Sequence, residues 1–253
     1  MPTWNSTYYE SLVDRFSEIT NGLDDRLDAV ADGRIAPAVE DLTIGSARKL
    51  RAAVLFFDIR GFSSRTASFA NMKKALQMLD CVIPIVEYLV YDHGGYVEKN
   101  TGDGVMAIIG ADSDDEEAAN TALNVATASL YVLKNLVNKY LEAVDIDKVD
   151  ARIGIDLGTL LLARIGTPKG SAKHPRSFLT AVGPSANLAA RLQQEMANTN
   201  EIWVGDLIKT NAAEYRKGWF TNKTPEGWTW SYLNNPTQTY HVWKYTGHKT
   251  DPK

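Results

Sequence analysis

The 253 residues carry 31 acidic against 27 basic side chains, a net charge of -4, and are 44% hydrophobic. That length suits one α/β domain with extensions or two small domains, and the charge balance gives no general electrostatic pull toward nucleic acid or an anionic membrane. A single cysteine, Cys81, excludes an internal disulfide; with no basic-then-apolar leader and no apolar stretch long enough to span a bilayer, the expected location is the cytoplasm.

Residues 1–45 stand apart as a helical N-terminal extension. Tyr8, Leu12, Phe16 and Ile19 recur at helical spacing, Thr7 and Glu10 form a candidate capping box, and Asn21-Gly22 is a natural stop. A second short helical pattern runs from Leu23 to Val30. The extension either packs on its own domain or serves as a dimer contact or regulatory arm.

From Leu50 the pattern becomes strand, helix, strand pair, helix, strand. Ala52 to Phe57 is a continuous apolar run, the mark of a buried strand, and it ends in Asp58 and a turn at Gly61. An Asp where the chain leaves a sheet is placed to hold a cation. The turn Gly61 to Ser64 precedes a helical pattern opening at Ser68, so its backbone N–H groups are placed to attract phosphate. Helix signals cover Phe69 to Tyr91, with Leu76, Leu79, Ile83, Val86 and Val90 on one face and Pro84 expected to kink or locally break the helix.

Tyr96 to Asn100 and Val105 to Ile109 are short strands around Thr101-Gly102-Asp103-Gly104, a tight hairpin. A long helix from about Asp115 to Val144 opens on the acidic run Asp112 to Glu117, which suits a helix N-terminus. Ala151 to Leu157 and Leu160 to Ile165 read as two strands joined at Gly158. A polar, basic loop, Thr167 to Ser177, leads to a short strand, Phe178 to Val182. Gly183-Pro184-Ser185 starts a helix to about Met196. Ile202 to Val204 is strand-like. Trp219, Trp228 and Trp230 suggest a small packing cluster before a last strand, Thr239 to Tyr245.

If the strands bearing Asp58 and Asp103 are neighbours, their carboxylates converge on one edge. Such a pair suits hard divalent cations, which keep waters and take substrate phosphates as further ligands. Asn187 and Arg191 lie four apart on one helix face, where they can orient a ribose oxygen and neutralise charge developing on phosphate. Each residue alone has a plainer reading: Asp-Gly is a common hairpin pair, and Asn and Arg at this spacing are often simply surface residues.

Three stretches in order carry a resemblance: Phe57-Asp58-Ile59-Arg60-Gly61-Phe62-Ser63, then Gly94-Gly95-Tyr96-Val97-Glu98-Lys99-Asn100-Thr101-Gly102-Asp103, then Gly183-Pro184-Ser185-Ala186-Asn187-Leu188-Ala189-Ala190-Arg191. Together they resemble the class III nucleotidyl cyclase catalytic domain over roughly residues 48–212. The resemblance implies a ferredoxin-like α/β (α+β) catalytic domain over 46–212, with 213–253 as a Trp-rich segment and final strand of the same domain. It implies a head-to-tail homodimer with active sites at the interface. Asp58, Asp103 and the carbonyl of Ile59 would hold two divalent metal ions, manganese or magnesium, and the turn Gly61, Phe62 and Ser63 would take the triphosphate. From the partner, Asn187 would position the ribose, Arg191 would stabilise the transition state, and Lys99 with Thr180 would read the base.

The chain departs from the common pattern in places. Pro184 stands where many relatives carry Asp, and the triphosphate-gripping lysine has no counterpart between Tyr232 and Gln238, leaving Lys223 or Arg216 as candidates. Lys99 with Thr180 is a pairing found in adenylate cyclases. The stand-alone organisation with a helical arm instead resembles the pyrimidine cyclases of bacterial antiphage systems, the Pycsar family. That resemblance implies UTP, then CTP, as substrate, and a cyclic product read by a separate cyclic-nucleotide-sensing effector. The alternatives are an adenylate cyclase making cAMP and an inactive cyclase-like module for nucleotide binding or dimerisation. No nucleic-acid or membrane partner is expected.

Overall fold

A computed structural model describes residues 3–20, 47–66, 69–166 and 177–250. The helical pattern at Leu23 to Val30 and most of the loop Thr167 to Ser177 lie outside the described residues.

The apolar run forms the middle of β1 (Ala47–Ile59), a strand buried on both faces. Its alternate residues Ala53, Leu55, Phe57 and Ile59 enter the larger core, while Ala52 and Val54 enter a second core on the opposite face. The larger core is closed by α1 (Ser6–Thr20), α2 (Phe69–Asp92) and α3 (Asp115–Val132). The helix of α3 continues through a π-turn (Leu133–Val137) into α4 (Asn138–Ala143). The second face is covered by α5 (Pro184–Arg191), whose Ala186 and Ala189 pack against Ala52, Val54 and Leu160.

β1 pairs antiparallel with β3 (Gly104–Ile109) on one side and β4 (Ala151–Gly166) on the other, and β2 (Tyr96–Asn100) pairs with β3. The order β2-β3-β1-β4, built as strand, helix, two strands, helix, strand, is the expected ferredoxin-like arrangement. Beyond β4 the sheet continues through β6 (Glu201–Gly205), β10 (Val242–Tyr245) and β7 (Phe220–Asn222); β5 (Ser177–Val182) pairs with the far end of β4. A separate hairpin joins β8 (Ser231–Tyr232) and β9 (Asn235–Thr239). A one-turn helix, α6 (Asp206–Asn211), follows β6.

Four local expectations are corrected. The Asn5 side chain accepts from Tyr8 N at 2.9 Å, so the first helix starts one residue before Thr7 and Asn5 takes the capping role given to Thr7 and Glu10. α2 runs unbroken through Pro84, with buried residues on both sides of the proline to hold it. Gly158 does not end a strand: β4 is one element across it, and the glycine makes room for Ser185, whose Cβ would lie 3.2 Å from a Cβ at 158. Finally, the stretch Thr239 to Tyr245 divides between β9 and β10, because Tyr240 turns inward and its hydroxyl donates to Asp156 at 2.6 Å.

α1 packs on its own domain: Leu12 and Phe16 are buried in the larger core. Among the described residues no helix is long and apolar enough to cross a membrane.

Candidate active site

Asp58 is the penultimate residue of β1, opposite Gly104 of β3 and Arg152 of β4. The register therefore brings the 101–104 turn against the strand exit. Ile59 N donates to Asp103 O at 3.0 Å, and a Cβ at position 104 would lie 2.4 Å from Phe57 O, so only glycine permits this approach. Asp58 and Asp103 are thus gathered on one edge. Burial pushes the Asp58 carboxyl up, and the nearby Asp103 charge adds to the effect; a hydrogen bond from Arg152 works against both. That Arg152 Nε bond is 2.8 Å long. Beyond Ile59, Gly61 takes φ +71°, a left-handed turn, and Phe62–Thr66 forms a 3-10 turn. The turn, rather than the N-terminus of α2, follows the strand directly.

Among the described residues no three His, Cys, Asp or Glu side chains cluster as a metal cage. The donor set at Asp58 and Asp103 fits a hard dication that completes its shell with ligand oxygens and water. A half-buried carboxylate already drawing on a cationic side chain is the electrostatic counterpart of such an ion.

The other expected residues form two further groups. Lys99 Nζ donates to Thr180 Oγ1 at 3.2 Å, joining β2 to β5. Asn187 and Arg191 share α5: Asn187 is exposed, and Arg191 Nε donates to Glu195 Oε2 at 2.7 Å while its guanidinium lies 4.7 Å over the Trp228 ring. An arginine held on an aromatic face keeps its charge and donors available at one edge. The tryptophans divide accordingly. Trp228 stacks with Trp230 beside Arg191, whereas Trp219 packs with Tyr215 and Tyr245.

Of the two candidates for gripping triphosphate, Arg216 is withdrawn: it is buried and donates to Tyr215, Tyr245 and Asn124. Lys223 is exposed. Sequence reading missed Arg152, which bridges Asp58 and the Gln194 carbonyl (3.0 Å) in the π-turn Leu192–Met196 after α5. A lone arginine in an apolar strand was the available signal, but only the register places it opposite Asp58. Also missed was Asp156, buried under α5 and facing Tyr240.

Residues 45–215 match the family model described as the adenylate and guanylate cyclase catalytic domain. The chain belongs to that family. A uridylate cyclase of Burkholderia cepacia is 28% identical over 224 residues, covering 83% of this chain and 88% of that protein. An adenylate cyclase of Dictyostelium discoideum, described as terminal-differentiation specific, is 26% identical over 161 residues, 63% of this chain. The cyclase domain here spans only 7% of that longer protein. The fold is also that of the solved guanylyl cyclase Cya2, with a TM-score of 0.64 over 83% of this chain and 97% of the other at 20% identity. The matched span contains all three motifs.

Proposed function

We propose that this cyclase domain converts a nucleoside triphosphate into a 3′,5′-cyclic nucleotide and pyrophosphate, in a site completed by a second copy of the chain. The observation that carries the reading is the packing of the Asp103 turn onto the end of β1, which puts two carboxylates beside a glycine turn at one sheet edge. Asp58, Asp103 and the Ile59 carbonyl would hold two manganese or magnesium ions. Bound there, the ions would lower the pKa of the ribose 3′-hydroxyl and neutralise the triphosphate.

The remaining work falls to the chain. Backbone N–H groups of Gly61, Phe62 and Ser63 seat the phosphates, and Lys99 and Thr180 of the partner subunit hold the base. Asn187 of the partner subunit orients the ribose so that the 3′-oxygen lies in line with the α-phosphorus. That oxygen, giving up its proton to solvent, forms the new P–O bond as the bond to the pyrophosphate oxygen breaks, and the partner subunit's Arg191 meets the negative charge developing between them. Arg152 lies next to Asp58 and, with a metal held on that carboxylate, would supply the cation toward the phosphates that the stretch 232–238 lacks.

For the base we infer a pyrimidine, UTP before CTP. The match to the uridylate cyclase covers 83% of this chain and 88% of that protein, whereas the match to the adenylate cyclase covers 63% of this chain and 7% of that longer protein. The second reading, ATP, is favoured by the Lys99–Thr180 contact. On the pyrimidine reading the product is a second messenger for a separate sensor in antiphage defence.

Incubating the protein with manganese and each of the four ribonucleoside triphosphates, with chromatographic product analysis, tests this. Cyclic UMP in excess of the other products is expected. Cyclic AMP alone would transfer the assignment to ATP, and no product from any of the four would leave a binding or dimerisation module.

A further inference from the structure

The carboxylate beside the Lys99–Thr180 pair has no role in the reading above. Consecutive strand residues ordinarily point to opposite faces. Between Val97 and Lys99, however, the β2–β3 register slips by one residue, a β-bulge that sets two residues of β2 against one of β3. The bulge lets Glu98 and Lys99 meet. Glu98 Oε1 lies 3.3 Å and Oε2 3.2 Å from Lys99 Nζ, and the Glu98 side chain is fully buried whereas Lys99 is 41% exposed.

Glu98 also reaches a distant strand. Ala181 N donates to its Oε1 at 2.8 Å, although two strands, β3 and β1, separate β2 from β4, the partner of β5, in the sheet. Ala181 is the neighbour of Thr180, so one carboxylate holds both halves of the pair. Its second oxygen makes no hydrogen bond despite being buried. Burying a charge costs several kcal/mol unless it is paired, and the pairing on offer here is the Lys99 ammonium and the β5 backbone.

We propose that Glu98 is the positioning residue for base recognition: it fixes the Lys99 ammonium relative to Thr180 by clamping β2 to β5, and so sets which base edge the pair accepts. The inference rests on the base-reading role of Lys99 and Thr180. It assigns Glu98 to substrate selection and leaves the phosphoryl chemistry to Asp58, Asp103, Asn187 and Arg191.

The test compares Glu98→Gln, Lys99→Ala and the double variant, with kcat and KM measured for all four triphosphates in manganese and melting temperature as a folding control. Glu98→Gln keeps an acceptor for Ala181 N but removes the charge that holds Lys99. The expected result is a rise in KM for the preferred triphosphate of roughly 10-fold, with kcat within about twofold and discrimination among bases reduced by a similar factor. In the Lys99→Ala background the same change should add almost nothing. Unchanged KM and discrimination in Glu98→Gln, or an effect that simply adds to that of Lys99→Ala, would overturn the inference while leaving the cyclase reading intact. If Lys99→Ala itself left affinity and discrimination unchanged, the base-reading role would fall first and this inference with it.

Discussion

Arg152 Nε stands 2.8 Å from Asp58 Oδ2, so the carboxylate at the end of β1 already carries a cationic partner supplied by the neighbouring strand. Both side chains are largely buried, and the same guanidinium reaches the Gln194 carbonyl three residues beyond Arg191. One arginine therefore ties the candidate metal carboxylate to the segment that follows α5.

Arg152→Ala should leave a half-buried carboxylate without its counter-charge, costing about 1–3 kcal/mol, less than a fully buried pair would. A dication can take the vacated place. Manganese is expected to raise the melting temperature of Arg152→Ala more than that of the unaltered protein, and calorimetry with manganese alone should show tighter binding to the variant. Equal manganese stabilisation of both would separate Arg152 from the metal position.

Asp156 gives a pH dependence with a definite sign. Burial, with a smaller contribution from Asp206, pushes its carboxyl up to about 8, against hydrogen bonds from Tyr240 and the Leu157 backbone. The folded chain then keeps this proton where the unfolded chain has lost it. Its contribution to stability is full below about pH 4 and is lost as pH rises toward 8, with a slope of up to about 1.4 kcal/mol per pH unit. Asp156→Asn retains an oxygen for Tyr240 and should flatten stability between pH 5 and 8, measured by denaturant unfolding at several pH values. An unchanged slope would place the titration elsewhere.

Gly104 tests the approach of the hairpin to β1. An added Cβ would meet Phe57 O at 2.4 Å and Thr101 Oγ1 at 2.8 Å. Gly104→Ala should cost about 2 kcal/mol or more, since backbone must move to relieve the contact. It should also weaken manganese binding by displacing Asp103. A variant as stable as the parent would mean the turn is not held as described.

The Arg191–Glu195 pair is the counterpart at the end of α5, joining its last residue to the π-turn that follows. Its carboxylate is 57% exposed and lies one helical turn from Arg191, an arrangement worth only about 0.3–0.5 kcal/mol. Glu195→Ala should leave the melting temperature nearly unchanged while freeing Arg191 for substrate. Trp228→Ala removes the ring beneath the guanidinium and should lower kcat by roughly 3- to 10-fold. Steady-state kinetics on the two variants distinguishes the effects; equal kcat in all three proteins would remove Arg191 from the chemistry.

Much of the fold was legible because burial writes itself into periodicity. The run through Phe57 had to be a central strand, and the apolar face of residues 69–91 had to be a helix. The two Asp positions were legible because strand order and a two-sided hairpin leave few places for Asp103. What failed was decided by distant partners. Gly158 looks like a turn until Ser185 is known to pack on it, Tyr240 looks like a strand residue until Asp156 is known to accept its hydrogen bond, and Arg152 acquires a purpose only through its register with Asp58. Arg216 was misjudged for the same reason: nothing near it in the chain announces Tyr245 and Asn124 as partners.

The most direct test mixes two inactive variants. Asp58→Ala lacks the metal half and Arg191→Ala lacks the transition-state half, so each homodimer should be at least roughly 10²-fold slower than the unaltered protein. A mixed dimer contains one site with neither substitution. When mass spectrometry confirms that subunits have exchanged, cyclic nucleotide production should return to about a quarter of the unaltered rate for equal, randomly exchanging subunits at one working site per mixed dimer. Confirmed mixed dimers that remain as slow as either variant alone would contradict a site shared between two chains.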